Sequence, residues 1–154
     1  MNRVLDRLWI GSTADLEARV PLRSLGFTGV VDLRDGDLPG PRQVEVLRIR
    51  NRDGDPWSEK QVSEAMKFIL DHVRKGRVLV ACVAGMSRSA SIVIGYLVRC
   101  GTDLPTAYGM VLSARPQIFP LPKMLESVLK VAQEVTSHSP SGRGVGALLP
   151  RHKS

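Results

Sequence analysis

The chain has 154 residues, of which 43% are hydrophobic and 24% charged, and its formal net charge is +7. This length and composition predict one globular domain with a substantial core, and they exclude a fibrous or wholly disordered chain. The longest apolar runs are far shorter than the roughly 20 residues of a membrane helix. Aromatic residues, at 5%, are too few for the basic and aromatic pattern of a nucleic-acid-binding surface.

Strand and helix patterns alternate along most of the chain. Short apolar runs predict strands at 8–10, 30–33, 44–49 and 77–82. Apolar residues at helical spacing predict helices at about 12–19, 58–76, 89–99, 103–115 and 122–136. Two of these helices begin with capping-box pairs, Ser12 with Asp15 and Ser58 with Gln61. The order predicts an α/β fold in which a central, mostly parallel sheet of four or five strands has helices on both faces.

The domain is expected to occupy residues 1–138. Beyond it, residues 139–154 are rich in Ser, Gly and Pro and contain Arg143, Arg151 and Lys153 but no acidic residue. That composition predicts a flexible basic tail. About three of the positive charges therefore belong to the tail, and the domain itself is only mildly basic.

The most informative stretch runs from the buried strand at 77–82 into the helix at 89–99. Cys82 ends the strand, Gly85 lies in the middle of a short loop, and Arg88 opens the helix. Such a loop can turn successive backbone N–H groups toward one point, where the positive end of the helix also points. A tetrahedral oxyanion fits there, above a cysteine that the same positive potential favours as thiolate.

This C-x5-R motif followed by Ser89 resembles the signature of the cysteine-dependent protein tyrosine phosphatases, specifically of small dual-specificity phosphatases. The segment 115–120, Arg-Pro-Gln-Ile-Phe-Pro, resembles the R-P-x-I-x-P connector of the same family. Two positions depart from the pattern. Ala81 stands where the family usually has His, and Leu121 stands where it often has Asn.

The resemblance implies a role for each residue of the loop. Cys82 would be the nucleophile, Arg88 would bind the phosphate and stabilise the transition state, and Ser89 would help the sulfur to leave. The backbone that binds the phosphate would come from Val83, Ala84, Gly85, Met86, Ser87 and Arg88. Because Ala81 cannot supply the hydrogen bonds of the family's His, we expect a functional but weaker nucleophile.

The general acid of the family is an Asp on a loop about thirty residues before the cysteine. The resemblance therefore assigns this role to Asp53, with Asp55 as its rival because Gly54 leaves the register of the loop open. Asp35 and Asp37 are weaker candidates. An Asp in a loop rich in Gly and Pro is ordinarily a turn former, so the assignment depends on the resemblance.

The function expected from the resemblance is hydrolysis of phosphotyrosine and phosphoserine or phosphothreonine in phosphoprotein substrates through a phosphocysteine. Two alternatives stay open: a phosphatase for a phosphoinositide or an RNA 5′ end, and a weakly active or non-catalytic phosphate-binding scaffold. The loop carries no Lys, which disfavours a phosphoinositide, and the retained Cys82 and Arg88 disfavour a scaffold.

The remaining expectations concern location and partners. Two cysteines do not form a disulfide framework, so we expect a reducing compartment: a cytoplasmic protein, with a nuclear location left open. We expect no membrane span and no specific nucleic-acid partner. The scattered His and Cys residues have no metal-ligand spacing, and no metal or cofactor is expected. The sequence does not indicate an oligomeric state.

Overall fold

A five-stranded sheet forms the centre of the computed structural model, which describes residues 1–137. Its strands lie in the order β1-β2-β5-β3-β4. Only β1 is antiparallel to its neighbour. The strands are β1 (Asn2–Leu5), β2 (Leu8–Gly11), β3 (Phe27–Asp32), β4 (Glu45–Arg48) and β5 (Arg77–Ala81). The predicted mostly parallel sheet is confirmed.

Helices cover both faces of this sheet, as predicted. The helices are α1 (Thr13–Leu16), α2 (Glu59–Val73), α3 (Arg88–Arg99), α4 (Leu104–Ala114) and α5 (Pro122–Ser137), with a short 3-10 helix at Leu22–Leu25. Alternate residues of β5 belong to two separate apolar clusters. Val78 and Val80 pack with α2 to α5 in the larger one, whereas Leu79 and Ala81 pack with Leu16 of α1 in the smaller one.

The sheet topology brings the ends of three strands together. β5 lies between β2 and β3, and Val80 is paired with Ile10 on one side and with Val31 on the other. The carboxyl ends of these parallel strands meet at one edge, which is where ligands bind in open α/β sheets. α3 begins at that edge and is buried along nearly its whole length, so it is a rigid support for the loop that precedes it.

Three elements differ from the prediction, and one of them is the unpredicted 3-10 helix at Leu22–Leu25. The helix expected at 12–19 ends at Leu16. The chain must turn after this residue because Leu16 and Leu22 both pack in the smaller apolar cluster. In addition, the residue before Pro21 is disfavoured in helical conformation. Strand β1 was not predicted. It has four residues, pairs along one side only and has an irregular register, so its apolar alternation is too short to recognise. The predicted tail at 139–154 lies outside the described residues.

Candidate active site

The site is built at the end of the central strand. β5 stops at Ala81, and Cys82 is the next residue, with only 2% of its surface exposed. Its Sγ lies 3.2 Å from Oγ of Ser89, in the first turn of α3. The Cys82 N–H donates to the carbonyl of Gly11 at the end of β2. The sulfur is therefore fixed between the strand ends and the start of α3, beside one hydroxyl group.

Gly85 allows the loop to turn back toward α3. Its φ is +68°, a left-handed conformation that other residues rarely adopt. A Cβ at this position would lie 2.6 Å from the carbonyl oxygen of Gly11 and 2.8 Å from Nη2 of Arg115. Both the conformation and the close approach of neighbouring atoms require glycine here.

The carbonyl groups of the loop are bonded to the surrounding scaffold. The N–H of Thr13 donates to the Val83 carbonyl at 3.1 Å, and the N–H of Phe119 donates to the Met86 carbonyl at 2.8 Å. Nη2 of Arg115 donates to the Ala84 carbonyl at 3.0 Å. Within residues 1–137, the N–H groups of 83–87 donate to no protein acceptor. These donors are consequently available to an anion.

Arg88 is buried, with 6% of its surface exposed, and is held by the loops that follow β3 and β4. Its Nη1 donates to the carbonyls of Leu33 at 3.2 Å and Asn51 at 3.1 Å, and lies 3.5 Å from Oδ2 of Asp35. Its Nε is also buried but has no hydrogen-bond partner in the described structure. The guanidinium therefore has one desolvated N–H donor, at Nε, that is available to a ligand.

An open cleft of about 360 Å³ lies above Cys82. The lining residues are Asp53, Cys82, Val83, Ala84, Met86, Ser87, Arg88, Phe119 and Leu121. Asp53 and Arg88 are the only charged residues among them. Asp55 is not in the lining, although it is only two residues from Asp53. A larger cleft of about 470 Å³, formed by residues 15–22 and 39–43, contains none of the predicted site residues.

The other two candidate acids lie elsewhere. Asp35 lies 3.5 Å from Nη1 of Arg88 but is not in the lining of the cleft, and Asp37 pairs with Arg50 at the surface. The structure therefore brings Asp53 to the cleft of Cys82 and leaves Asp37 and Asp55 outside it.

Ala81 packs in the smaller apolar cluster and is fully buried. Its carbonyl accepts a hydrogen bond from the Leu33 N–H at 2.8 Å, as any residue at this position could do. The methyl side chain offers no hydrogen bond to the loop. Leu121 is the other position that departs from the family pattern. Its N–H donates to Oγ of Ser87 at 3.2 Å, so a backbone group at position 121 bonds to the loop that follows β5.

Arg115 and a buried Asp32–Arg34 pair also support the site, and neither was predicted from the sequence. Arg115 is 8% exposed and links the loop to the first strand, because its Nη1 donates to Oδ1 of Asn2 at 2.7 Å. Asp32 and Arg34 form a fully buried pair at 2.9 Å that fixes the end of β3 beside Leu33. The connector at 115–120 could have indicated a role for Arg115. For the buried pair there was no such indication, because an Asp and an Arg two residues apart are common in any sequence.

Each helix within 1–137 is too short or too polar to cross a membrane. In the same part of the chain, no three His, Cys, Asp or Glu side chains are grouped as a metal ion would require.

Known proteins resemble this chain in sequence. A family model described as dual specificity phosphatase, catalytic domain, matches residues 8–134. Dual specificity phosphatase 28 of Homo sapiens is 31% identical over 144 residues, which cover 89% of this chain and 80% of that protein. Dual specificity protein phosphatase 22-A of Danio rerio is 32% identical over 111 residues, which cover 71% of this chain and 51% of that protein.

Solved structures agree with the sequence matches. Human DUSP28 superposes with a TM-score of 0.82 at 30% identity, covering 90% of this chain and all (100%) of that one. A mouse putative dual specificity phosphatase complexed with zinc tungstate gives 0.80 at 32% identity, covering 98% and 92%. The chain spans only about half of the zebrafish relative's length, and 23% of human dual specificity protein phosphatase 16. The matched catalytic-domain model covers most of the chain, which therefore belongs to the dual specificity phosphatase family.

Proposed function

We propose that this chain hydrolyses phosphomonoesters of tyrosine, serine and threonine in phosphoprotein substrates through a phosphocysteine at Cys82. The observation that carries the proposal is the arrangement around this buried sulfur: a loop with its carbonyls bonded outward, its N–H groups available, and the unpartnered Nε of Arg88 beside it. Preorganised donors of this kind stabilise a phosphoryl group in its transition state.

The reaction has two balanced steps. The Cys82 thiolate attacks phosphorus, so an S–P bond forms while the P–O bond to the substrate breaks, and the leaving oxygen takes a proton from Asp53. Water then attacks phosphorus and gives a proton to the Asp53 carboxylate, and the S–P bond breaks. The Ser89 hydroxyl, 3.2 Å from the sulfur, stabilises the returning thiolate. Inorganic phosphate leaves and the enzyme is regenerated.

The assignment of the acid to Asp53 is supported by its place in the lining of the cleft, from which Asp55 is absent. Both acids belong to one turn, which is closed by the Asp55 N–H donating to the Arg52 carbonyl at 3.1 Å, and within that turn Asp53 is the acid that lines the cleft. The Ala81 side chain contributes no hydrogen bond to the loop, which supports a nucleophile weaker than that of relatives with His at this position.

The cleft favours singly phosphorylated protein side chains. Val83 and Phe119, at its rim, are 50% and 65% exposed, and Arg88 is the one cation in the lining. A phosphoinositide with several phosphates would need more positive charge than this. A scaffold without activity has no use for Cys82 and Asp53 in the lining of one cleft, with the Ser89 hydroxyl beside the sulfur, so this arrangement favours an enzyme.

Hydrolysis of para-nitrophenyl phosphate tests the proposal. Wild-type protein should turn over this ester, Cys82→Ser should reduce turnover to background, and Asp53→Ala should reduce it much more than the matched variant Asp55→Ala. Soaking with tungstate, the ion named with the mouse relative, should place the oxyanion at residues 82–88. Turnover that survives Cys82→Ser would refute the mechanism, and a loss confined to Asp55→Ala would move the acid to that residue.

A further inference from the structure

A single thioether joins the two loops that meet at the cleft. Met124 lies in the first turn of α5 and is fully buried. Its Sδ accepts a hydrogen bond from the N–H of Gly54 at 3.2 Å and another from Oγ of Ser87 at 3.6 Å. Gly54 directly follows Asp53, and Ser87 directly precedes Arg88. The sulfur therefore connects the loop of the proposed acid with the loop of the proposed phosphate site.

The Asp53 side chain depends on such backbone contacts for its position. Asp53 is exposed, and its carboxylate forms no hydrogen bond or ion pair within residues 1–137. The N–H of Gly54, one residue further, is the nearest backbone group of this loop that is bonded to another element. That bond ends on the Met124 sulfur.

The start of α5 also fixes the far end of the same loop. The N–H of Trp57 donates to Oγ of Ser127 at 2.8 Å, and this hydroxyl donates to the Met124 carbonyl at 2.8 Å. The indole Nε1 of Trp57 donates to Oγ of Ser91 in α3 at 3.0 Å. The loop is thus held rigidly at Trp57, and Met124 supplies the contact nearest to the acid.

We infer that Met124 is a positioning residue, whose sulfur holds Asp53 over Cys82 by accepting the Gly54 N–H. The inference rests on the proposed function, since it assigns a role relative to the proposed acid. A thioether sulfur is a weak acceptor, and leucine has nearly the same volume without one. Met124→Leu therefore removes the acceptor while keeping the packing.

The experiment measures kcat/KM for a series of aryl phosphates whose leaving phenols range from acidic to weakly acidic. A displaced acid matters most when the leaving group most needs a proton. Met124→Leu should therefore lose about three-fold for para-nitrophenyl phosphate and about ten-fold or more for phenyl phosphate. The matched variant Met66→Leu, at another fully buried methionine, should leave this dependence unchanged.

A double variant separates positioning from a general structural effect. In an Asp53→Asn background the acid is absent, so adding Met124→Leu should cause no further loss that depends on the leaving group. Equal loss with every substrate, or the same additional loss in both backgrounds, would overturn the inference. If Met124→Leu does not fold, norleucine introduced at position 124 alone, which exchanges that sulfur for a methylene group and leaves the other methionines unchanged, supplies the same comparison. Wild-type protein inactive on every aryl phosphate would instead refute the proposed function.

Discussion

Replacing Gly85 with alanine tests whether the loop above Cys82 has the shape that the proposed chemistry requires. The new Cβ would lie 2.6 Å from the backbone oxygen of Gly11, which cannot move without shifting the end of β2. It would also lie 2.8 Å from Nη2 of Arg115, whose bond to the Ala84 carbonyl would be lost or stretched. The change therefore disturbs the loop at two points.

The expected cost follows from three contributions. A left-handed conformation costs a non-glycine residue about 1–2 kcal/mol, of which about 0.4–1 kcal/mol is offset by the stiffer unfolded chain. Overpacking against a rigid neighbour adds about 1–3 kcal/mol. We expect Gly85→Ala to lower the free energy of unfolding by about 2–4 kcal/mol, which corresponds to a fall in Tm of roughly 5–15 °C.

The assays are urea unfolding, thermal unfolding and turnover of para-nitrophenyl phosphate. Displaced loop donors should lower kcat by about a hundred-fold or more, because each preorganised donor to the transition state is worth about that factor. Inhibition by tungstate should weaken in parallel, since the same N–H groups bind the oxyanion.

Gly36→Ala is the matched control. Gly36 also has a positive φ, +82°, but a Cβ there would have no neighbour within 4 Å. It therefore measures the conformational cost alone, which we expect to be about 1 kcal/mol or less, with activity retained. If Gly85→Ala were as stable and as active as Gly36→Ala, the close packing of the loop against Gly11 and Arg115 would not be what shapes the site.

Two further predictions concern titration. Burial raises the pKa of the Cys100 thiol to about 11. At neutral pH, iodoacetate should therefore carboxymethylate Cys82 of the native protein and spare Cys100, and mass spectrometry should show one adduct. Two adducts on the folded protein would contradict this prediction. Asp103 is the N-cap of α4, and hydrogen bonds from Thr106 lower the pKa of its carboxyl group. The ionised carboxylate therefore stabilises the folded protein at any pH above the ordinary carboxyl pKa. This stabilisation is lost as the pH falls through the lowered pKa. Asp103→Asn keeps a capping acceptor but removes the charge. In urea unfolding, the free energy by which the wild type exceeds this variant should shrink between about pH 5 and pH 3. A difference that stays constant over this range would refute the account.

Local patterns were sufficient where a few neighbouring residues decide the structure. The capping box of Ser58 and Gln61 starts α2 as predicted, because both of its hydrogen bonds lie within one helical turn. The strand, loop and helix around Cys82 were also evident from sequence, since Gly85 and Arg88 have fixed offsets from the cysteine. The alternation of such units was enough to predict a mostly parallel sheet.

The sequence by itself determined the type of fold and the loop that contains Cys82 and Arg88, because chain periodicity and short spacings encode both. Only the tertiary structure decided that Asp53 rather than Asp55 lines the cleft, that Arg115 supports the Ala84 carbonyl, and that the Met124 sulfur lies between two loops. These contacts join residues 31 and 70 positions apart. They arise from how β5, α4 and α5 pack, and no local pattern records the distance between segments that meet only in the folded chain.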